Sequence, residues 1–200
     1  MAFDLIVWDF DGVLNVNPGG EVFPWIADLD RDLGIPPDSF RRFLRAPGQA
    51  RDVLNGWCDL QERLAGWIED EGHDITAEGF LAHWLVADDR PDPEAVGWLE
   101  ASTSRKIIGT NNPAARARYI AERTLAGQSA ERVFASGEMG VAKPDPGFFG
   151  QIERWAGLPP ARILLIDDSA ENCASAQRRG WRVFRFSSDT RHRLPGVLGL

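Results

Sequence analysis

Three short apolar runs, far apart in the chain, each give way abruptly to polar residues. They are Leu5-Ile6-Val7-Trp8 before Asp9-Phe10-Asp11-Gly12, Ile107-Ile108-Gly109 before Thr110-Asn111-Asn112, and Ile163-Leu164-Leu165-Ile166 before Asp167-Asp168. Runs of this length without polar alternation predict strands buried on both faces of a parallel sheet. The pattern predicts strands over residues 3–9, 106–109, 132–135, 162–166 and 181–184. Helical signals separate the later ones: Asn112-Pro113 and Asp145-Pro146 read as helix starts, and Gly157 and Gly180 as stops. Strand-helix alternation implies an α/β fold with a doubly wound parallel sheet.

Between the first and second strands the periodicity is helical. Pro24 suits a first helical position, with Trp25, Leu29 and Leu33 recurring every four residues. Asp38 or Ser39 can cap a helix carrying Phe40, Phe43 and Leu44. Trp57, Leu60, Leu64, Trp67 and Ile68 form one apolar face, and Phe80, Leu81, Trp84 and Leu85 another. Short amphipathic helices cannot each bury a face alone, so these four are expected to pack together as a bundle. The predicted organisation is a core of residues 1–15 and 91–200 with a helical cap over 16–90. Its hinges fall in the Asn/Gly-rich stretch 15–20 and the Asp/Pro-rich stretch 88–93.

Composition narrows the function. The net charge of −8 argues against nucleic acid, whose phosphates need a basic face. A small phosphorylated molecule remains compatible, because local cations and a metal can offset the global field. The two cysteines, Cys58 and Cys173, lack metal-ligand spacing and read as buried free thiols in a reducing cytosol. No stretch reaches membrane-spanning length, and the N-terminus shows no basic leader before the first strand. The expected location is therefore cytoplasmic.

In an open α/β sheet the carboxyl ends of the strands carry the site. The three polar clusters then bring acidic side chains and hydroxyl or amide donors around one crevice, and Lys143 in Gly140-Val141-Ala142-Lys143-Pro144-Asp145-Pro146 adds a cation. Such a set suits phosphate and a divalent metal. Lys143 stands out because the chain has twenty Arg and two Lys. A compact ammonium is retained where it can touch both a nucleophile and a phosphoryl group. The other, Lys106, lies at a strand start and reads as a solvated surface charge. His73, His83 and His192 have no ligand or triad spacing.

In this order and at these strand ends, Asp9-Phe10-Asp11-Gly12-Val13-Leu14, Thr110-Asn111, Lys143 and Asp167-Asp168-Ser169 resemble motifs I to IV of the haloacid dehalogenase superfamily. The segment 140–149 is most similar to phosphatase-like members with a small helical cap after motif I. The resemblance implies the strand order 3-2-1-4-5. It also implies Asp9 as a nucleophile that carries an aspartyl-phosphate and Asp11 as general acid and base. Thr110, Asn111 and Lys143 would hold the phosphoryl group. Mg²⁺ would sit on Asp9, the backbone carbonyl of Asp11 and Asp168, with Asp167 bridged through water. Asn112 reads better as a helix cap than as a phosphate contact. Ser169 and Asn172 either orient these groups or cap the following helix. Arg45 and Arg51, beside Pro47-Gly48, offer a possible substrate anion contact but fit a solvated face better.

The expected activity is a Mg²⁺-dependent phosphatase acting on a small soluble phosphate monoester. The alternative is a phosphomutase, with a phosphosugar substrate, on the same scaffold. Relatives that hydrolyse carbon–halogen bonds lack the second Asp of motif I, which Asp11 supplies. Those that cleave phosphonates need a cap lysine, and residues 16–90 contain none.

Overall fold

The computed structural model describes residues 3–16 and 23–200. Five parallel strands, β1 (Leu5–Trp8), β2 (Arg105–Thr110), β3 (Val133–Ala135), β4 (Ile163–Asp167) and β5 (Arg182–Arg185), form one sheet in the order β3-β2-β1-β4-β5. Successive strand residues point to opposite faces, so each central strand feeds two cores. Ile6, Trp8, Ile108, Leu164 and Ile166 pack on one side, and Leu5, Val7, Ile107, Ile163 and Leu165 on the other. Helices α6 (Pro93–Ala101), α7 (Ala114–Arg123), α8 (Leu125–Ser129) and α12 (Leu194–Leu198) cover the first side. Helices α10 (Pro146–Ala156) and α11 (Ala170–Arg178) cover the second, and the short α9 (Ser136–Met139) follows β3. The strands, their order and the doubly wound α/β arrangement agree with the expectation from sequence.

Residues 24–87 carry one 3₁₀ turn (Pro24–Asp28) and five helices: α1 (Leu29–Leu33), α2 (Pro37–Arg45), α3 (Gln49–Leu54), α4 (Leu60–Glu71) and α5 (Ala77–Ala87). They enclose their own apolar cluster, centred on Trp25, Phe40, Leu64, Trp67, Phe80 and Trp84. Most aromatic rings meet edge-on or tilted, as between Phe40 and Phe80 (centroids 4.9 Å apart) and Trp67 and Phe80 (5.1 Å), while Phe40 and Phe43 stack (5.5 Å). A helix that the sequence did not single out, α3, follows the turn at Pro47-Gly48, with Gly48 at its N-cap in a left-handed conformation (φ 76°). Two expectations for this segment need correction. Trp57 lies outside α4 and is 63% exposed, with Arg51 over its ring. Ser39 caps nothing: it is buried inside α2, where its hydroxyl bonds Glu71 and accepts from the Trp67 indole.

The connections to the sheet are stitched by Asn15, which is fully buried. Its amide donates to the Asp88 carbonyl (3.0 Å) and to the Asp11 carboxylate (3.0 Å), and its side-chain oxygen accepts from Arg90 N (2.6 Å). Of the expected first hinge, residues 17–20 lie outside the described residues. Lys106 is not free in solvent: its ammonium caps the end of α6 through the carbonyls of Leu99, Glu100 and Ser102. Cys173 is buried and Cys58 half-buried, and both are free thiols, so the expectation of two buried thiols holds for Cys173 alone. Among the described residues no helix is long and apolar enough to cross a membrane.

Candidate active site

Register brings the motif residues together. Trp8 pairs with Ile108 on one side and Ile166 on the other, so the next residue, Asp9, lies level with Gly109 and Asp167 across three adjacent strands. Thr110, the last residue of β2, projects one position further. The loop after β3 and α9 delivers Lys143 into the same place. Asn111 clamps that loop, accepting from Lys143 N and donating to Lys143 O, both at 2.8 Å. The Asn111 side chain is thus committed to positioning Lys143, and what it can still offer a phosphoryl group is its backbone N–H.

Asp9, Lys143 and Asp167 form a buried triad. The ammonium contacts Asp9 Oδ1 at 2.9 Å, Asp167 Oδ2 at 2.7 Å and the Gly109 carbonyl at 2.7 Å. Burial pushes the Asp9 carboxyl well above the usual carboxylate range; Lys143 pulls it back, and the neighbouring Asp167 pushes it up again. Burial alone would lower the Lys143 ammonium, but Asp9 and Asp167 together hold it above its ordinary value. Two buried carboxylates thus share one cation.

Asp167 is saturated. Besides Lys143 it accepts from Ser169 N (2.9 Å) and the Asn172 amide (3.0 and 3.1 Å). Ser169 caps α11 through Asn172 N, so Ser169 is the cap and Asn172 the residue that orients Asp167. Asp168, by contrast, is exposed toward the crevice. Burial of part of its carboxyl and the charge of Asp167 raise its pKa. A Cβ built on Gly12, which has φ 88°, would lie 2.4 Å from Asp168 Oδ2. Glycine is required there both by the backbone and by the space the carboxylate takes. Oxygens of Asp9, Asp167 and Asp168 lie within 4.8 Å of one another. An all-carboxylate donor set with unbalanced negative charge fits a hard divalent cation.

Asp11 is held by three side chains: Asn15 (3.0 Å), Asn112 (2.8 Å) and Arg116 (2.8 Å). Asn112 therefore does not cap a helix, contrary to the sequence reading. The N-cap of α7 is Pro113, and the Asn112 amide is buried between Asp11 and the Thr110 hydroxyl (2.7 Å). The helix begins at Ala114, so the amides of residues 111 and 112 belong to the loop before it. Arg116 was not singled out from sequence. On the first turn of α7 it links Asp11 to the buried Asp88 at the end of α5. Its distance of 105 residues from Asp11 left no local signal. Above Asp11 a cavity of about 390 Å³ opens between the core loops and helices α2 to α5. Neither Arg45 nor Arg51 is among its described lining residues.

Residues 3–180 match the haloacid dehalogenase-like hydrolases. The chain belongs to that family. Its curated relatives include phosphoglycolate phosphatase 1 of Pseudomonas aeruginosa, 22% identical over 96% of this chain and 72% of the relative. Drimenol cyclase of Aspergillus calidoustus is 28% identical over 71 residues, 34% of this chain; that match spans only 13% of the cyclase's length. Among solved structures, a haloacid dehalogenase family enzyme of Bacteroides thetaiotaomicron in complex with magnesium and inorganic phosphate superposes with a TM-score of 0.75. It is 18% identical, with 94% of this chain and 96% of that one covered. At that identity the likeness shows the shared fold.

Proposed function

We propose that this hydrolase is a Mg²⁺-dependent phosphatase that cleaves small phosphate monoesters through an aspartyl-phosphate on Asp9. The observation that carries the reading is the pairing of two carboxylates at the end of β1, Asp9 against Lys143 and Asp11 fixed by Asn15, Asn112 and Arg116. In this reading Asp9 serves as nucleophile and Asp11 as acid. The phosphatase relative and the fold neighbour bound to magnesium and phosphate support it.

In this reading an Asp9 oxygen attacks phosphorus and the ester P–O bond breaks. Asp11 gives its proton to the departing alkoxide, then takes one from the water that attacks the aspartyl-phosphate. Lys143, with its ammonium fixed by three acceptors, stabilises charge on the phosphoryl oxygens without reorganising. The Thr110 hydroxyl accepts from Asn112, which leaves its own proton for a phosphoryl oxygen. Asp9, Asp168 and the Asp11 carbonyl would hold the cation, with Asp167 behind them. Mg²⁺ supplies neutralisation of the transferring group's charge. The segment over residues 16–90, through its helices between Pro24 and Ala87, acts as the cap that covers the site and excludes water.

The test is hydrolysis of 4-nitrophenyl phosphate in the presence and absence of metal. Chelator abolishes turnover and Mg²⁺ restores it, whereas Ca²⁺ does so poorly because its looser coordination shell misplaces Asp9. Undiminished activity in chelator would contradict the reading.

A further inference from the structure

The cavity above Asp11 has two unlike walls. The core side offers Asp11, Asn112 and Arg116; the helical side offers Phe43, Leu54, Leu60, Leu81, Trp84 and Leu85. Gln49 is a polar residue of that helical wall, and its side-chain oxygen is already taken by Arg63 at 3.2 Å. The charged side chains among the described lining are two carboxylates, Asp11 and Asp88, against one guanidinium, Arg116, which pairs with both. No cation there is left for a second anionic group. Residues 17–22, Asn-Pro-Gly-Gly-Glu-Val, contain no cation in their sequence either.

Resting on the phosphatase reading, we infer that the substrate is the phosphate monoester of an uncharged, apolar alcohol. The placement follows from the chemistry. Asp11 protonates the leaving oxygen, so the leaving alcohol lies on the Asp11 side of phosphorus, and that side opens into the apolar cavity. A volume of about 390 Å³ falls within the range of small-molecule sites, roughly 300–1,000 Å³. A carboxylated alcohol such as glycolate would find the one lining guanidinium, Arg116, already paired with Asp88 and Asp11. A sugar would bring hydroxyls to a wall of leucine and aromatic side chains, where unpaired polar groups are costly to bury.

The experiment is a series of straight-chain alkyl phosphates, ethyl, butyl and hexyl, compared with phosphoglycolate and glycerol 3-phosphate, all with Mg²⁺. Leaving-group pKa is nearly constant along the alkyl series, so differences report the cavity. kcat/KM should rise roughly threefold or more per methylene, with hexyl phosphate well above both polar substrates. Leu85→Asn, and separately Leu54→Asn, should reduce the hexyl-to-ethyl ratio. Hexylphosphonate, which keeps the head group but has no ester bond to cleave, should raise the melting temperature more than ethylphosphonate does. A flat alkyl series with efficient phosphoglycolate turnover would overturn the substrate class and leave the phosphatase standing. Absence of turnover on every ester, 4-nitrophenyl phosphate included, would overturn both.

Discussion

Asp9 and Asp11 are two residues apart yet occupy opposite environments. Asp9 is buried against an ammonium, and Asp11 is reachable from the cavity and gripped by three donors. That division predicts a leaving-group dependence for Asp11→Asn. Loss of turnover should be large for alkyl phosphates, whose alkoxides need a proton, and smaller for 4-nitrophenyl phosphate, whose phenolate does not. Parallel assays on both ester types check this; equal losses would assign Asp11 a positioning role. Asp9, Asp11, Thr110, Asp167 and Asp168 were legible because each closes or follows an apolar run, and Lys143 because it is one of two lysines beside twenty arginines. Asn112 and Arg116 were not. The partner that defines them, Asp11, is 101 and 105 residues away, and the local signal of an Asn before Pro favours a cap.

At the scale of elements, the fold depends on how helices are anchored to the sheet. Asp92 caps α6 through the amides of Glu94 and Ala95 (3.1 and 3.0 Å) and pairs with Arg191 at 2.9 Å. Asp92→Ala should lower stability by about 1–2 kcal/mol, as for a lost N-cap, seen as a shifted denaturant midpoint with an unchanged slope. Burial raises the Asp92 carboxyl, but Arg191 and the two amides outweigh it and hold the pKa below its ordinary value. A depressed folded pKa contributes stability that is complete above the unfolded value of about 3.9 and is lost as pH falls through the folded one. The wild-type excess over Asp92→Ala should therefore shrink in acid. Arg116 ties α7 to Asp88 at the end of α5, with both groups buried. Arg116→Ala strands a buried carboxylate and should cost about 3–5 kcal/mol. Arg116→Met combined with Asp88→Leu should recover most of that loss in the same denaturation assay. Strands β1 and β4 were readable because each is an apolar run buried along its whole length, whereas the edge strand β5, with exposed arginines at both ends, was read from the alternation of strands and helices. Helix α3 was not, since a Pro-Gly pair ahead of it reads as a turn and six residues carry little periodicity. Trp57 was drawn into the α4 pattern by spacing alone, although Asp59 caps that helix two residues later.

Over the whole molecule, the two sheet cores and the separate helical cluster each followed from local apolar patterning. The cavity between the sheet's loops and the helical cluster did not, because it exists only where residues 43–85 face residues 111–116. Arg45 and Arg51 are exposed, as the solvated-face reading of the sequence has them, and the cavity is lined instead by Leu and aromatic side chains. The covalent role proposed for Asp9 would join these levels into an enzyme, since Lys143 and the acidic cluster converge on it at the end of β1. It is tested most directly by Asp9→Asn, measured for hydrolysis of 4-nitrophenyl phosphate with Mg²⁺ after circular dichroism and thermal melting have established a native fold. The amide nearly preserves size but cannot attack phosphorus, so turnover should fall by at least about 10⁴-fold. Appreciable turnover by the folded variant would contradict the aspartyl-phosphate mechanism.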